Sequence, residues 1–418
     1  MPRNLHARCA PTAVLAVALF AAACADGPAA SPPAEPDSTV GRHPSWRRLR
    51  ALVADAATGR LSVFDAEDDE IVATLDVGAH ASVAELDTGN HALALTADRA
   101  HFVDAGVSIV DHVDHIHIYK FPPKLRPFAL PIGPSARFAS NGGWLAGLPG
   151  RGPEAAAVLS LREEDVAKSE APPTLSFEVG AEAPRAVLPL GDRLLVARAG
   201  GVEVWPAPAG PPAPLAACDD PRGATSAGPR AALACADGLL FVRPEGGAYA
   251  TAKIAYPAGL GAPPGRLRAH PTRSTVLGEL GLRALVVADA DTASAHLLDL
   301  PSDGCDAFLE PARGEHAVVL TAEGALVVIE LASGLVVRRV EVVAPFDCAA
   351  TAARPHLAVA PERAYVTDPD AGKLHDVDLN AGRIALTLDV EGTPNEIVLL
   401  GLDLRNANVA PGAAHDGF

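Results

Sequence analysis

Basic residues are scarce in this sequence. Its 418 residues include 34 Lys and Arg against 51 Asp and Glu, for a formal net charge of −17. A surface of that sign repels the phosphates of nucleic acids, so we expect no nucleic-acid partner.

Long apolar runs are scarce too. After residue 45 none approaches the roughly 20 residues that span a bilayer as a helix. The apolar run 13–23 is too short to span and follows Arg3 and Arg8, which is typical of an export signal that is removed. Residues 19–24 resemble a bacterial lipoprotein box, which predicts that Cys24 carries lipid. Ordinary cleavage after an Ala-x-Ala pattern is the alternative.

These features predict four regions. Residues 1–23 are a signal peptide, and residues 24–45, rich in Pro, Ala, Ser and Asp, are a flexible lipid-anchored tether. Residues 46–402 form the folded domain, and residues 403–418 form a disordered tail. We therefore expect a monomer in the periplasm or on the cell surface that meets the membrane only through its lipid.

The chain has six cysteines but no Cys-x-x-Cys spacing, which argues against a cysteine metal site. One cysteine leaves with the signal and Cys24 carries the lipid. The remaining four are predicted to form two disulfides in an oxidising compartment. Three connectivities are open, and chain order favours Cys218 with Cys235 and Cys305 with Cys348.

Helical periodicity is nearly absent from residues 45–402. Short apolar strands separated by turn residues predict an all-β fold. Similar strands recur at 60–65, 325–330 and 373–379, each followed by a turn and another apolar strand. Repeat units open near Ser82, Ala136, Pro184, Ala224, Leu267, Asp306, His356 and Asn395, a spacing typical of four-stranded propeller blades. We predict one β-propeller with eight blades, or seven as the alternative, in which N- and C-terminal strands complete a shared blade.

The sequence concentrates imidazoles in residues 111–117, which hold His112, His115, His117, Asp111 and Asp114. Zinc is bound tetrahedrally by His nitrogens and carboxylate oxygens, so this density predicts a zinc site. Alternation predicts a strand from Asp114 onward, with His115 and His117 on one face. Asp111 and His112 are predicted to lie on the approach to that strand, where a loop can fold a ligand back or orient an imidazole. A polar rim that is merely rich in histidine is the alternative.

Residues 112–117 and 354–375 resemble the periplasmic zinc metallochaperone AztD family, and the similarity extends over most of residues 46–402. The resemblance implies a β-propeller that binds zinc and hands it to the solute-binding protein of a zinc ABC transporter. The family's His-Gly-Asp-His-x-His loop matches His112, Asp114, His115 and His117, with Val113 in place of Gly. The resemblance also implies a paired-cysteine blade at Cys218 and Cys235.

The chain departs from this family at several blade starts. Arg137, Arg185 and Arg222 occupy or adjoin places where the resemblance implies histidine. Arginine stays protonated and cannot ligate zinc, so we expect any metal site that used those blades to be lost or remodelled. The arginines are candidates for an anion site at the central channel, or for pairing with Asp219, Asp220, Asp306 or Asp347. Extra metal ligands could come from His80, His270 and His356, all near predicted blade starts.

Three functions are therefore compared. A zinc-binding, non-enzymatic chaperone or reservoir is the favoured hypothesis. A metal-free propeller lipoprotein that binds a protein partner or an anionic ligand in its channel is the alternative. An enzyme is the weakest, because the sequence shows no Ser-His-acid run, nucleotide loop or His-Glu-x-x-His motif.

Overall fold

Eight four-stranded antiparallel sheets form the blades of a β-propeller, as predicted. The structure is a computed structural model that describes residues 49–112, 115–150, 157–168, 172–178, 183–206, 211–350 and 353–401. The predicted signal, tether and tail fall outside these ranges. No helix in the described ranges has the length and apolarity needed to cross a membrane.

Four blades occupy the first half of the fold. Blade 1 contains β4 (Ser82–Glu85), β5 (His91–Leu95), β6 (Arg99–Asp104) and β9 (Lys124–Pro131). Blade 2 contains β10 (Arg137–Asn141), β11 (Trp144–Leu148), β12 (Ala157–Arg162) and β13 (Leu175–Glu178), with the helix α1 (Glu163–Lys168) after its third strand. Blade 3 contains β14 (Ala186–Leu190), β15 (Arg193–Arg198), β16 (Gly201–Pro206) and β17 (Ala213–Ala216). Blade 4 contains β18 (Ala224–Ala227), β19 (Arg230–Cys235), β20 (Gly238–Glu245) and β21 (Ala248–Ala255).

Four further blades complete the propeller. Blade 5 contains β22 (Arg266–Ala269), β23 (Thr275–Leu280), β24 (Ala284–Asp289) and β25 (Ser294–Asp299). Blade 6 contains β26 (Gly304–Leu309), β27 (His316–Thr321), β28 (Ala325–Glu330) and β29 (Val336–Glu341). Blade 7 contains β30 (Leu357–Ala360), β31 (Arg363–Asp368), β32 (Lys373–Asp378) and β33 (Arg383–Asp389). Blade 8 contains β34 (Pro394–Leu400), β1 (Arg50–Asp55), β2 (Arg60–Asp65) and β3 (Glu70–Asp76).

Blade 8 joins the two ends of the folded region, as predicted. Its first strand, β34, pairs with β1, so no open sheet edge remains at the seam. Asp55 stabilises this junction because its Oδ2 accepts the amide of Thr393 at 2.7 Å and its Oδ1 accepts the amides of Ala57 and Thr58 at 2.8 and 2.7 Å.

The core lies between neighbouring blades. Short runs of Leu, Val and Ala alternate between sheet faces, and both faces of a blade pack against another blade. At the seam, Phe64 of blade 8 packs on Tyr365 of blade 7 with ring centroids 5.9 Å apart, and both side chains are fully buried. The burial of such large side chains supplies the hydrophobic stabilisation that holds the ring together.

The antiparallel strands define two faces of the propeller. Loops between first and second strands, and between third and fourth strands, lie on the face that we call the hairpin face. Loops between second and third strands, and between successive blades, lie on the opposite face, which we call the start face. An additional two-stranded sheet, β7 (Val107–His112) and β8 (His115–Lys120), is inserted between β6 and β9 and therefore belongs to the hairpin face.

Candidate functional site

The histidine-rich segment forms a β-hairpin, which we call the histidine hairpin. Its register pairs His112 with His115, Val110 with His117 and Asp111 with Ile116. The predicted strand beginning near Asp114 is present from His115 onward. The expectation that Asp111 and His112 lie on a loop is wrong, because both belong to β7.

The register assigns the three histidines to one side of this hairpin. Residues directly opposite in an antiparallel pair share a face, and so do residues two apart on one strand. The positions of His112, His115 and His117 therefore share a face, whereas Asp111 belongs to the other. Asp114 lies outside the described residues.

A buried network holds the root of the hairpin. Arg50, only 4% exposed, donates from Nη1 to the carbonyls of Ala105 and Phe121, each at 2.7 Å, and from Nε to Asp65 at 2.8 Å. Asp65 is fully buried and also accepts from Lys120 Nζ at 2.6 Å. Because Ala105 and Phe121 flank the inserted segment, one guanidinium joins blade 8 to both ends of the hairpin.

The charge of Asp65 is maintained by these contacts. Burial alone would raise the pKa of the Asp65 carboxyl, but hydrogen bonds from Lys120 and Arg50 outweigh it and lower the pKa below the ordinary value. The network is therefore ionised at neutral pH.

Gly106 makes the tight entry to the hairpin. Its φ is +65°, and an added Cβ would lie 2.2 Å from the carbonyl oxygen of Phe121. Only glycine adopts this conformation without strain and leaves room for the opposing backbone. The amide of Phe121 donates to the Gly106 carbonyl at 2.6 Å and closes the root.

Two of the additional ligand candidates lie on the start face, opposite the histidine hairpin. His80 precedes blade 1, is exposed, and has Nδ1 3.4 Å from the Asp55 carbonyl. His356 precedes blade 7 and has Nδ1 3.2 Å from Asp306, which is 4% exposed. Since a carboxylate only accepts, His356 Nδ1 donates and its Nε2 is the nitrogen left for another contact.

His270 is a structural histidine. It is fully buried in blade 5, and its Nδ1 accepts the amides of Thr272 and Arg273 at 3.2 and 3.0 Å. Burial, aided by the charge of Arg273, lowers the pKa of His270 to about 4. The neutral ring therefore carries its proton on Nε2, and neither nitrogen offers a lone pair to a metal in this arrangement.

Asp306 is the centre of a cationic cluster on the start face. Its carboxylate lies 3.1 Å from Arg354 Nη2 and 3.6 Å from Arg266 Nη1, in addition to its contact with His356. Burial would raise the pKa of Asp306, but the hydrogen bond and charge of His356, with Arg354, lower it strongly. This cluster borders a central cavity of about 570 Å³.

The predicted arginine group forms a chain of contacts on the start face. Arg185 and Arg222 both bind the carboxylate of Asp220, with Arg222 Nε at 3.0 Å, and Arg137 Nη1 donates to the Arg185 carbonyl at 3.3 Å. The hydrogen bond from Arg222 is the main reason that the pKa of Asp220 is lowered. Arg185 and Arg222 are about half exposed, at 44% and 52%.

The central cavity is not lined by these three arginines. The arginines that line it are Arg266 and Arg268, and the Arg268 guanidinium lies 3.6 Å from the ring centroid of Phe308. Burial, followed by the charge of Arg266, lowers the Arg268 pKa from its ordinary value. An anion site in the channel formed by Arg137, Arg185 and Arg222 remains a prediction. An anion in the central cavity would lie nearest to Arg266 and Arg268 instead.

Both disulfides are present with the pairing that chain order favours. They join Cys218 to Cys235 and Cys305 to Cys348 on the start face. The first ties the loop before blade 4 to the end of β19, and the second ties β26 to the loop before blade 7. Disulfides of this kind are consistent with an extracytoplasmic location.

No group of three His, Cys, Asp or Glu side chains is arranged to hold a metal within the ranges that the structure describes. The side chains of His112, His115 and His117 are not among those described. The roles of Arg50, Asp65 and Lys120 were not predicted from the sequence, and neither was the buried pair of His91 and Glu163 near the hairpin root. A buried arginine followed by a matching acid 15 residues later leaves no local sequence pattern.

The chain is similar to known proteins along most of its length. It is 27% identical over 377 residues to the zinc chaperone AztD of Citrobacter koseri, with 84% of this chain and 86% of that protein covered. The crystal structure of that AztD, and the structure of its apo form, each match with a TM-score of 0.75 and 24% identity, covering 84% of this chain and 97% of theirs. The chain thus resembles the AztD family at a distance.

Other comparisons concern the fold alone or find nothing. A dihydro-heme d1 dehydrogenase, NirN, in complex with DHE matches with a TM-score of 0.55 and 14% identity, covering 89% of this chain and 80% of that one. The similarity to NirN shows a shared fold alone, whereas the similarity to AztD is also found between the sequences. No family model matches the chain.

Proposed function

We propose that the protein binds a zinc ion through His112, His115 and His117 and acts as a zinc chaperone or reservoir. The register of the histidine hairpin carries this proposal, because it assigns all three residues to one face of a short anchored ribbon. Neutral imidazoles are preferred zinc ligands, and three of them with a carboxylate make up a common tetrahedral set. The likeness to a zinc chaperone along 84% of the chain supports the same metal and a non-enzymatic function.

Asp114 is the better carboxylate for this site. Asp111 has its register position on the face opposite the histidines, so we assign it an orienting or solvent-facing role at most. Asp114 stands between His112 and His115 in the sequence, at the connection of the two strands. Copper would compete for an imidazole-rich site, because Cu²⁺ exceeds Zn²⁺ in the Irving–Williams order.

Calorimetric zinc titration tests the site. The His112→Ala/His115→Ala/His117→Ala variant should lose zinc binding, whereas a control that removes three histidines elsewhere should keep it. Suitable control positions are His101, His296 and His316, which lie on β6, β25 and β27. Equal affinity in the hairpin variant and the wild type would disprove the proposal.

Delivery of zinc is the second element of the proposal. The hairpin is a separate two-stranded sheet and not a strand of any blade, which suits a site that must release its metal. We propose that the acceptor is the solute-binding protein of a zinc ABC transporter in the periplasm. Zinc should then move to the apo acceptor faster than it dissociates into a chelator, and transfer at only the dissociation rate would indicate a passive reservoir.

We also propose that the mature chain begins at a lipidated Cys24 and is held at the cell envelope as a monomer. The two disulfides support an oxidising compartment. Mass spectrometry of the protein from its own cells would show a diacyl or triacyl modification on Cys24, and an unmodified N-terminus after Ala23 would indicate ordinary cleavage.

A further inference from the structure

A cavity of about 550 Å³ opens beside the root of the histidine hairpin, between blades 1 and 2. One wall is the hairpin root itself, with Gly106, Val107 and Phe121, and the facing wall includes Trp144 and α1. A group that enters this cavity therefore lies against the element that carries the proposed zinc ligands.

The walls of this root cavity are fixed by hydrogen bonds. Arg126 Nη2 of blade 1 donates to the Ala167 carbonyl of α1 at 2.9 Å. The amide of Glu163 donates to the Gly143 carbonyl at 2.9 Å. These contacts connect α1 to β9 and to the turn between β10 and β11, so the cavity is a preformed part of the fold.

The floor of the root cavity contains two buried polar atoms that lack a hydrogen-bond partner within the described residues. His91 and Glu163 are 4% and 3% exposed, and His91 Nδ1 lies 3.1 Å from Glu163 Oε1. Since the carboxylate accepts, His91 Nδ1 donates to Glu163 Oε1, which also accepts from the Thr88 hydroxyl. Neither His91 Nε2 nor Glu163 Oε2 has a hydrogen-bond partner in the described part of the chain. Buried polar atoms of this kind favour a ligand or water that hydrogen-bonds to them, and Glu163 Oε2 requires a donor.

The rim of the root cavity is apolar and basic. Phe121 is 56% exposed, although its backbone is held by Arg50. The charged side chains at the rim are three cations and two acids. Lys124, Arg162 and Lys168 are 62%, 53% and 68% exposed. Glu164 lies 2.9 Å from Lys168 and 3.2 Å from Arg162, and Asp104, 22% exposed, lies 4.0 Å from Lys124. In the whole chain acids outnumber bases by 51 to 34, so the rim has the opposite bias to the rest of the protein.

From these features we infer that the rim and root cavity form the docking surface for the protein that takes zinc from the hairpin. The occupant is an acidic segment of that acceptor, which pairs with Lys124 and Lys168 and covers the Phe121 ring with an apolar side chain. A donor on the same segment reaches the floor. This inference rests on the proposed function, because docking beside the hairpin matters only if the hairpin carries zinc.

Charge reversal at the rim tests this surface. Lys124→Glu/Lys168→Glu should bind zinc as tightly as the wild type, since neither residue is a proposed ligand. Its transfer rate to an apo zinc solute-binding protein should fall about tenfold at low salt and lose most of its salt dependence. The matched control is Arg243→Glu/Arg283→Glu, which makes the same charge change at cations 59% and 68% exposed on blades 4 and 5.

Phe121→Ser tests the apolar contact independently of charge. It should slow transfer, whereas Leu335→Ser, at a side chain 64% exposed on blade 6, should not. Circular dichroism melting confirms that each variant is folded.

The outcomes separate the two proposals. A wild type that binds no zinc, or that transfers it only at the dissociation rate, overturns the proposed function and this inference together. Zinc transfer that depends on contact, yet keeps the wild-type rate in both rim variants, overturns the docking surface alone. Slower transfer in the rim variants at unchanged zinc affinity, with both controls unaffected, supports it.

Discussion

Replacing Arg50 with methionine should destabilise the propeller and loosen the histidine hairpin. Methionine fills much of the same volume but donates no hydrogen bond. The substitution would leave the fully buried Asp65 carboxylate with Lys120 as its cationic partner and would remove the donor to the carbonyls of Ala105 and Phe121.

The magnitude follows from burial. Removing one partner of a buried ion pair costs about 3–5 kcal/mol, because the remaining charge is left without full compensation. Lys120 Nζ, 2.6 Å from Asp65, reduces that part of the loss. The two carbonyls each lose a charged donor, worth about 1.5–3 kcal/mol per bond, although water can replace part of it. We therefore expect the free energy of unfolding to fall by about 3–5 kcal/mol.

Urea denaturation measures this loss, and Arg60→Met is the matched control. Arg60 lies 2.8 Å from Glu391, but the two side chains are 32% and 81% exposed, so breaking that pair should cost about 1 kcal/mol or less. Hydrogen exchange should accelerate at the hairpin amides in Arg50→Met only. A loss in Arg50→Met no larger than in Arg60→Met would refute the assignment of Arg50 as the buried anchor.

The same network sets an acid limit on stability. Because the folded pKa of Asp65 lies below its ordinary value of 3.8, its ionised form stabilises the native state above about pH 4, and this contribution is lost as the pH falls further. Urea midpoints measured between about pH 3 and pH 7 should show a smaller acid-side loss in Arg50→Met than in the wild type. An identical pH profile would show that Arg50 does not lower the Asp65 pKa.

Three further changes have defined outcomes. Gly106→Ala should lower the free energy of unfolding by more than about 1 kcal/mol, because the new Cβ meets the Phe121 carbonyl and the backbone is left-handed there. Urea denaturation measures this loss, and an unchanged midpoint would contradict the requirement for glycine at the entry to the hairpin. Arg222→Ala should leave the melting temperature almost unchanged, since its contact with Asp220 is exposed, contrary to the large cost expected of a buried pair. Zinc affinity should fall below about pH 6 as the histidine ligands protonate, and a flat calorimetric profile would count against imidazole ligation.

Most of the fold could be predicted from the sequence. Strand periodicity and turn spacing give the blade starts, because each propeller blade repeats the same burial pattern: Ser82 and Ala224 begin strands where predicted, and Asp306 lies two residues inside β26. The repeated strands at 60–65 and 325–330 are each the third strand of a blade. The sequence did not predict that β7 and β8 form a sheet apart from blade 1, because apolar residues alternate in the same way in an inserted hairpin and in a blade strand.

The surroundings of the site were less predictable. Imidazole density located the histidine hairpin, but the partners of Asp65 depend on contacts between blades that are far apart in sequence. The role of His270 was likewise hidden, because a buried histidine that accepts two backbone amides has the same sequence appearance as a ligand. Burial and register are the properties that distinguish these cases.

The insertion of the histidine hairpin between β6 and β9 makes it a separable module. These two strands pair directly with each other, and the amide of Phe121 already bonds the Gly106 carbonyl across the point of insertion. A short turn could therefore replace the whole ribbon without removing a blade strand. The proposed zinc site could then be altered or lost by changes confined to a few residues, while the ring of blades continues to fold as before.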